Sequence, residues 1–199
     1  MSGIAVILLA AGQSRRMEGR DKLMESVDGI PLLRRSALRA MDVGPVVVAL
    51  PPAPHPRFVA LDGLDVQAVE VPDADEGMNA SLRCGLLCVP SDARAAMVLL
   101  ADLPELSAGD LITVRQSVYD NPDKLIWRGA TSDGKPGHPV VFDRSLFPHL
   151  SELTGDGGAQ SVVRAHRDRL HLERLPNQHA LLDLDTPDDW ARWRAAQSE

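Results

Sequence analysis

The chain has 199 residues, 44% of them hydrophobic and 25% charged, a composition that builds one sizeable core in a single domain over 1–199. Its formal net charge of −7 leaves no broad basic face and so argues against nucleic-acid binding. No apolar stretch approaches the roughly 20 residues that span a bilayer, and Met1 to Ala11 lacks the basic start of a signal peptide, so a cytoplasmic protein without membrane contact is expected.

Ile4–Leu9 is a continuous apolar run of the kind a buried parallel strand shows, and it ends at Ala10-Ala11-Gly12, where backbone can approach a ligand. Arg15, Arg16 and Lys22 follow. An Arg-Arg pair is usually a solvated loop, but directly after a buried strand it reads as a phosphate cradle, with arginine forks and a lysine point charge. Gly12 and Ser14 add backbone and hydroxyl donors. The segment is neither a Walker A loop nor a dinucleotide fingerprint.

Helical spacing marks Pro31–Met41, Ser81–Val89 and Ser107–Val118, the last after a serine that can cap. Further apolar runs, Val46–Leu50, Val66–Val71, Ala96–Ala101, Leu125–Trp127 and Pro139–Phe142, read as strands, with Pro51–Pro54 a rigid loop. Strands alternating with helices predict an α/β, Rossmann-like three-layer sandwich: a mostly parallel sheet, helices on both faces and a ligand at the carboxyl ends of the strands. Cys84 and Cys88, four apart on one helix face, are expected to be reduced structural thiols.

Asp102 stands at the end of the most hydrophobic strand, where a carboxylate can hold Mg²⁺ with donor phosphates or simply cap a turn before Pro104. Gly77-Met78-Asn79-Ala80-Ser81 opens a helix, and Ser81 is either its cap or a hydroxyl for a ligand. His138 lies beside a strand, as a structural histidine or an acceptor contact. Near the end, Asp183 and Asp185 precede Thr186-Pro187, an ordinary helix start followed by the acids Asp188 and Asp189.

The loop resembles the signature of MobA-like nucleotidyltransferases, roughly L-A-[AG]-G-x-S-x-R-M-G-x-x-K, matching at Leu9, Ala10, Ala11, Gly12, Ser14, Arg16, Met17 and Lys22. Glu18 precedes Gly19 where the family has glycine directly after methionine. Asp102-Leu103-Pro104 resembles its D-x-P segment, Gly77-Met78 with Ser81-Leu82 its nucleotide-contacting G-[LM]-x-x-S-[IL], and Gly137-His138-Pro139 its G-x-P stretch. Leu153 to Ala159 is similar to its L-x-G-D-x-G-A loop and Asp183 to Trp190 to its D-x-D-T-P-x-D-[LW] ending.

The resemblance implies the nucleotide-diphospho-sugar transferase type of fold and catalysis by Arg16, Lys22 and Asp102. It also implies nucleotide contacts from Leu9 to Gly12, Ser14, Arg15, Gly77, Met78 and Ser81, acceptor contacts at His138, Gly155 and Asp156, and a Mg²⁺ site at Asp102 with Asp183 and Asp185. The Leu-Ala-Ala-Gly form resembles molybdenum cofactor cytidylyltransferases, so the implied substrates are CTP and molybdopterin, with a molybdoenzyme as client. The alternatives are a GTP-dependent guanylyltransferase, a transferase acting on a sugar or alcohol phosphate, and a non-catalytic nucleotide-binding or chaperone-like partner of a molybdoenzyme.

Overall fold

The computed structural model describes residues 3–197. Strands β1 (Ile4–Leu9), β2 (Ser26–Val27) and β3 (Ile30–Pro31) precede helix α1 (Leu32–Met41), β4 (Val46–Leu50), α2 (Pro56–Ala60) and β5 (Gln67–Glu70). The middle of the chain gives α3 (Met78–Leu87), β6 (Ala95–Leu100), α4 (Ala108–Asp120), β7 (Ile126–Ala130) and β8 (Pro136–Asp143). Helices α5 (Phe147–Ser151) and α6 (Gln160–Ala165), strand β9 (Leu170–Arg174) and α7 (Pro187–Ala196) complete it.

Seven strands form one sheet in the order β5-β4-β1-β6-β8-β7-β9, and β2 and β3 make a small separate hairpin. Within the seven-stranded sheet, neighbours are parallel except where β8 meets β6 and β7. This is the expected α/β sandwich. The alternation of strand side chains divides the buried residues between two layers. Ile4, Val6, Leu8 and Ala10 pack with residues of α1, α4 and α7, including Leu33, Val114 and Trp190. Ile7, Leu9 and Ala11 pack with Leu82 and Leu86 of α3, Leu150 of α5 and Val162 of α6.

Helix α3 lies unusually close to β1. A Cβ on Gly85 would sit 2.4 Å from Ile7 Cγ2, so only glycine permits that approach. As a right-handed crossover between parallel strands requires, its amino end returns to the carboxyl ends of β1 and β6.

The sequence expectations hold for β1, β4, β6 and α1, and α4 opens on a capping box between Ser107 and Asp110. Helix α7 opens the same way, with Thr186 and Asp189. Thus Asp189 bonds the cap backbone as well as facing the helix dipole. Strand β5 differs from the expected buried run: it forms the sheet edge and none of its four residues is buried. Strands β7 and β8 run longer than their apolar centres, and α3 starts three residues before Ser81. Both cysteines are free thiols. No helix of the described residues is long and apolar enough to cross a membrane.

Candidate active site

The carboxyl ends of β1 and β6 and the amino end of α3 border a cleft of about 380 Å³. Its walls include Leu9, Ala10, Ala11, Gly12, Arg15, Lys22, Gly77, Met78, Ser81, Asp102 and Asp156, so most of the residues singled out in the sequence converge there. Ser14 borders an adjoining hollow of about 560 Å³ beside Pro51, Pro52 and His55. His138 lines a third and smaller one.

A carboxylate cluster sits at the end of β6. The backbone N–H of buried Leu184 donates to the Asp102 carbonyl at 3.4 Å, anchoring a segment whose flanking residues are Asp183 and Asp185. Carboxylate oxygens of Asp102, Asp183 and Asp185 lie within 4.8 Å of one another. Lys22 Nζ donates at 2.5 Å to both Asp102 Oδ2 and Asp185 Oδ1, and the exposed Arg16 guanidinium reaches Asp185 Oδ2 at 2.5 Å. Burial alone would lower the Lys22 pKa, but Asp102 and Asp185 outweigh it and raise it, so the group stays an ammonium. Asp183 is pushed up, first by burial and then by Asp185 and Asp102.

The Asp102 carboxylate caps nothing: Lys22 takes one oxygen, and Oδ1 is buried with no partner among the described residues. The turn-cap reading is thereby corrected. An orphaned carboxylate oxygen beside two further carboxylates is the oxygen-rich donor set that a hard divalent cation takes, so these residues fit a metal.

The loop between β1 and Lys22 is folded. Met17 is fully buried and Leu23 nearly so, which pins two short 3₁₀ turns, Arg15–Met17 and Lys22–Met24, to the core. Between them Glu18 has φ 53°, left-handed backbone that costs a non-glycine residue about 1 kcal/mol. That is the position where the resemblance expects glycine.

The brace beneath the loop is Arg57 of α2, only 1% exposed. Its Nη1 donates to the Ala10 carbonyl at 2.6 Å, and Nε and Nη2 form a two-pronged pair with Asp21 at 2.7 Å each. Ser14 Oγ accepts from Arg57 Nη2 and from the Lys22 backbone N–H, both at 3.2 Å, and lies 3.2 Å from Asp21 Oδ1 as donor. In this conformation the hydroxyl is therefore occupied inside the loop and does not line the cleft. Asp21 also caps the second turn through the Leu23 N–H. Burial would raise its pKa, but Arg57 overrides that and holds it below the usual carboxylate range.

Across the cleft, Gly77 takes φ 117°, and a Cβ there would meet Asp156 Oδ1 at 2.7 Å. Asp156 Oδ1 accepts from the Met78 N–H at 3.1 Å, so it caps α3 while lining the cleft. Gly155 donates its N–H to Glu76 and accepts from the Asn79 N–H, so its backbone is tied to this wall. Ser81 is buried in the second turn of α3 and does not cap, which corrects that alternative. Arg83 ties the wall together, donating to Glu76 and to the Leu153 carbonyl.

The model of MobA-like NTP transferase domains matches residues 6–170. The chain belongs to that family. The molybdenum cofactor guanylyltransferase of Rhodobacter capsulatus is 30% identical over 95% of this chain and 94% of its own. A probable molybdenum cofactor guanylyltransferase of Trichormus variabilis is 27% identical over 96% and 90%. Among solved structures, the Rv0371c protein of Mycobacterium tuberculosis, crystallised as a manganese complex, is 29% identical with a TM-score of 0.75, covering 96% of this chain and 97% of that one. In this MobA-like NTP transferase domain the signature loop and Asp102 line one cleft.

Family motifs did not reveal Arg57 or Asp21, because a buried arginine in a five-residue helix leaves no periodicity to find. Asn79 and Arg83 were missed similarly, as their bonds to the Thr154 and Leu153 carbonyls span 70 residues or more. Replacing Arg57 by leucine leaves Asp21 part-buried and unpaired, so stability in urea should fall by about 3 kcal/mol. The double variant Arg57→Leu/Asp21→Asn should recover part of it; a loss of under about 1 kcal/mol in the single variant would show that the pair does not hold the loop.

Burial, and then Arg128, push His138 down to about 4, against a weaker pull from the Val98 backbone and Asp102. The unfolded chain protonates this group near its free value of about 6.5. Stability from the neutral ring is therefore complete above that pH and declines as pH falls to about 4, by about 3 kcal/mol in all. Denaturation at several pH values should show a shallower slope in His138→Asn, and equal slopes would contradict a buried neutral imidazole.

Proposed function

We propose that the protein transfers CMP from CTP to the terminal phosphate of molybdopterin, releasing pyrophosphate, with Mg²⁺ as its metal. The observation that carries this reading is the meeting of Lys22, Asp102 and Asp185 at the end of the cleft whose other wall is the small-residue backbone of 10–12. An acceptor phosphate oxygen forms a bond to the α-phosphorus in line as the bond to the bridging oxygen breaks, and the electron pair leaves with pyrophosphate. The attacking oxygen is already ionised, so no general base is needed and positioning and charge neutralisation supply the rate.

Backbone at Gly12 has no side chain between it and the donor phosphates, and a Cβ there would meet nothing within 4 Å. Arg15, Arg16 and Lys22 bring positive charge to the departing pyrophosphate. Asp102, with Asp183 and Asp185, would hold Mg²⁺, which would supply charge neutralisation for the donor phosphates. Asp156 and Gly77 keep the amino end of α3 turned toward the cleft.

Cytidine is assigned from Ala11, which is 3% exposed and lines the cleft, its methyl narrowing the space for a base. Such a group shifts preference by about 1–3 kcal/mol. GTP is the second reading, favoured by the guanylyltransferase names of the relatives from Rhodobacter capsulatus and Trichormus variabilis. Titration calorimetry with Mg²⁺ should give tighter binding of CTP than of GTP by about fivefold or more, and the reverse order would transfer the assignment to GTP.

Asp102→Asn keeps the shape and loses the charge. Pyrophosphate release should drop about a hundredfold or more with the melting temperature little changed. Turnover within a few-fold of the parent at saturating Mg²⁺ would remove Asp102 as principal metal ligand.

A further inference from the structure

Residues 175–186 connect β9 to α7 and carry two of the three clustered carboxylates. They form neither strand nor helix, so the places of Asp183 and Asp185 depend on where the segment is tied. The tie nearest to them, from the Leu184 N–H to the Asp102 carbonyl, is 3.4 Å long, longer than an amide donor prefers. Downstream, Thr186 is held in the capping box of α7. Upstream the fixed point is Ala180, wholly buried, whose carbonyl accepts from the His138 N–H at 2.8 Å. A Cβ on Gly137 would lie 2.1 Å from that same oxygen, so glycine is what lets the start of β8 come so close.

The residue before this anchor is tied by its side chain. His179 Nδ1 lies 2.9 Å from Asp110 Oδ2. Asp110 is buried, and the same oxygen already accepts from the Ser107 N–H and Oγ, at 2.8 Å each, in the box that opens α4. An oxygen used in this way is an acceptor, so the ring nitrogen donates. On the other side of the ring, Nε2 faces Glu105 Oε2 at 4.0 Å, and Glu105 Oε1 accepts from Trp193 and Gln197 near the end of the chain. His179 thus fastens the segment to the opening of α4, and it lines no part of the cleft.

Three carboxylates brought together repel one another, and the two on this segment are relieved by moving away from Asp102. One long backbone bond opposes that movement at Leu184, so the turn just upstream has to be fixed by something else. We infer that His179 is a positioning residue: its bond to Asp110 fixes the turn at 176–181 and thereby sets Asp183 and Asp185 against Asp102. Partners behind a set of metal ligands commonly control affinity in this way, by orienting the ligands rather than touching the ion. The inference rests on the reading of the three carboxylates as a metal site, and deepens it by naming what sets their spacing. A side chain that only added stability would act on the whole fold, whereas one that positions the segment acts first at Leu184.

Two measurements on the full chain test this: native-state amide hydrogen exchange without metal, and titration with Mn²⁺ alone followed by electron paramagnetic resonance. In His179→Leu, exchange at Leu184 should quicken about tenfold or more, while Val6 and Leu99 in the central strands stay within about twofold. The Mn²⁺ dissociation constant should rise about tenfold. His179→Asn places an amide nitrogen where Nδ1 stood and should stay within about twofold of the parent in both readouts. His179→Gln places it nearer Nε2 and should behave as the leucine variant does; this pair decides if His179→Leu fails to fold. Parental exchange at Leu184 in His179→Leu, an equal loss of protection at Leu184, Val6 and Leu99, or an asparagine variant no better than glutamine each overturns the proposal. A parent that binds no Mn²⁺, with the exchange pattern as expected, removes the metal reading and keeps His179 as the residue that sets the carboxylates. Mn²⁺ affinity that falls in Asp185→Asn but not in His179→Leu overturns the positioning role and keeps the metal site.

Discussion

A buried guanidinium holds the signature loop in shape. Arg57 joins Ala10, Ser14 and Asp21, three points on a loop that leaves β1 and returns with Lys22, and it does so almost wholly shielded from water. Desolvating an arginine is costly unless its donors are used, and here both prongs meet one carboxylate while a third N–H takes a main-chain carbonyl. The same carboxylate caps the turn that begins at Lys22. Loop shape, lysine placement and carboxylate protonation therefore share one interaction.

The second constraint is charge. Asp102, Asp183 and Asp185 stand close enough to repel one another, and Lys22 and Arg16 reduce that repulsion by direct pairing. A lysine held at 2.5 Å from two carboxylates is kept charged rather than made a base, which suits the phosphate-attracting role proposed for it. Reversal of β8 serves the neighbouring pocket. Because this strand alone runs against the rest of the sheet, its beginning, with His138, lies at the same edge as the ends of β1 and β6.

Much of this was legible in the sequence, for physical reasons. Buried parallel strands must be apolar on both faces, so Ile4–Leu9 and Val46–Leu50 announced themselves and placed the sheet. Once β1 and β6 were placed, the loop after one and Asp102 after the other had to share the carboxyl edge. Less legible were elements that bury little. Edge strand β5 has no buried residue, and β9 likewise has none among its five, too weak a pattern to separate from a loop. Arg57 was hidden for the opposite reason: its burial depends on Asp21, 36 residues earlier, and no local pattern records that pairing. Ser81 misled because serine near a helix start usually caps, whereas the left-handed backbone of Gly77 sets the real boundary.

The ion pair between Lys22 and Asp185 spans 163 residues of chain. Synthesis proceeds from the amino end, so the loop that carries Lys22 emerges long before the carboxylates of Asp183 and Asp185. Every strand of the main sheet precedes residue 175, while Asp183 and Asp185 come after it. A nascent chain can therefore hold every strand of the main sheet and still lack two of the three carboxylates of the cluster, so the cluster is completed after the sheet rather than with it.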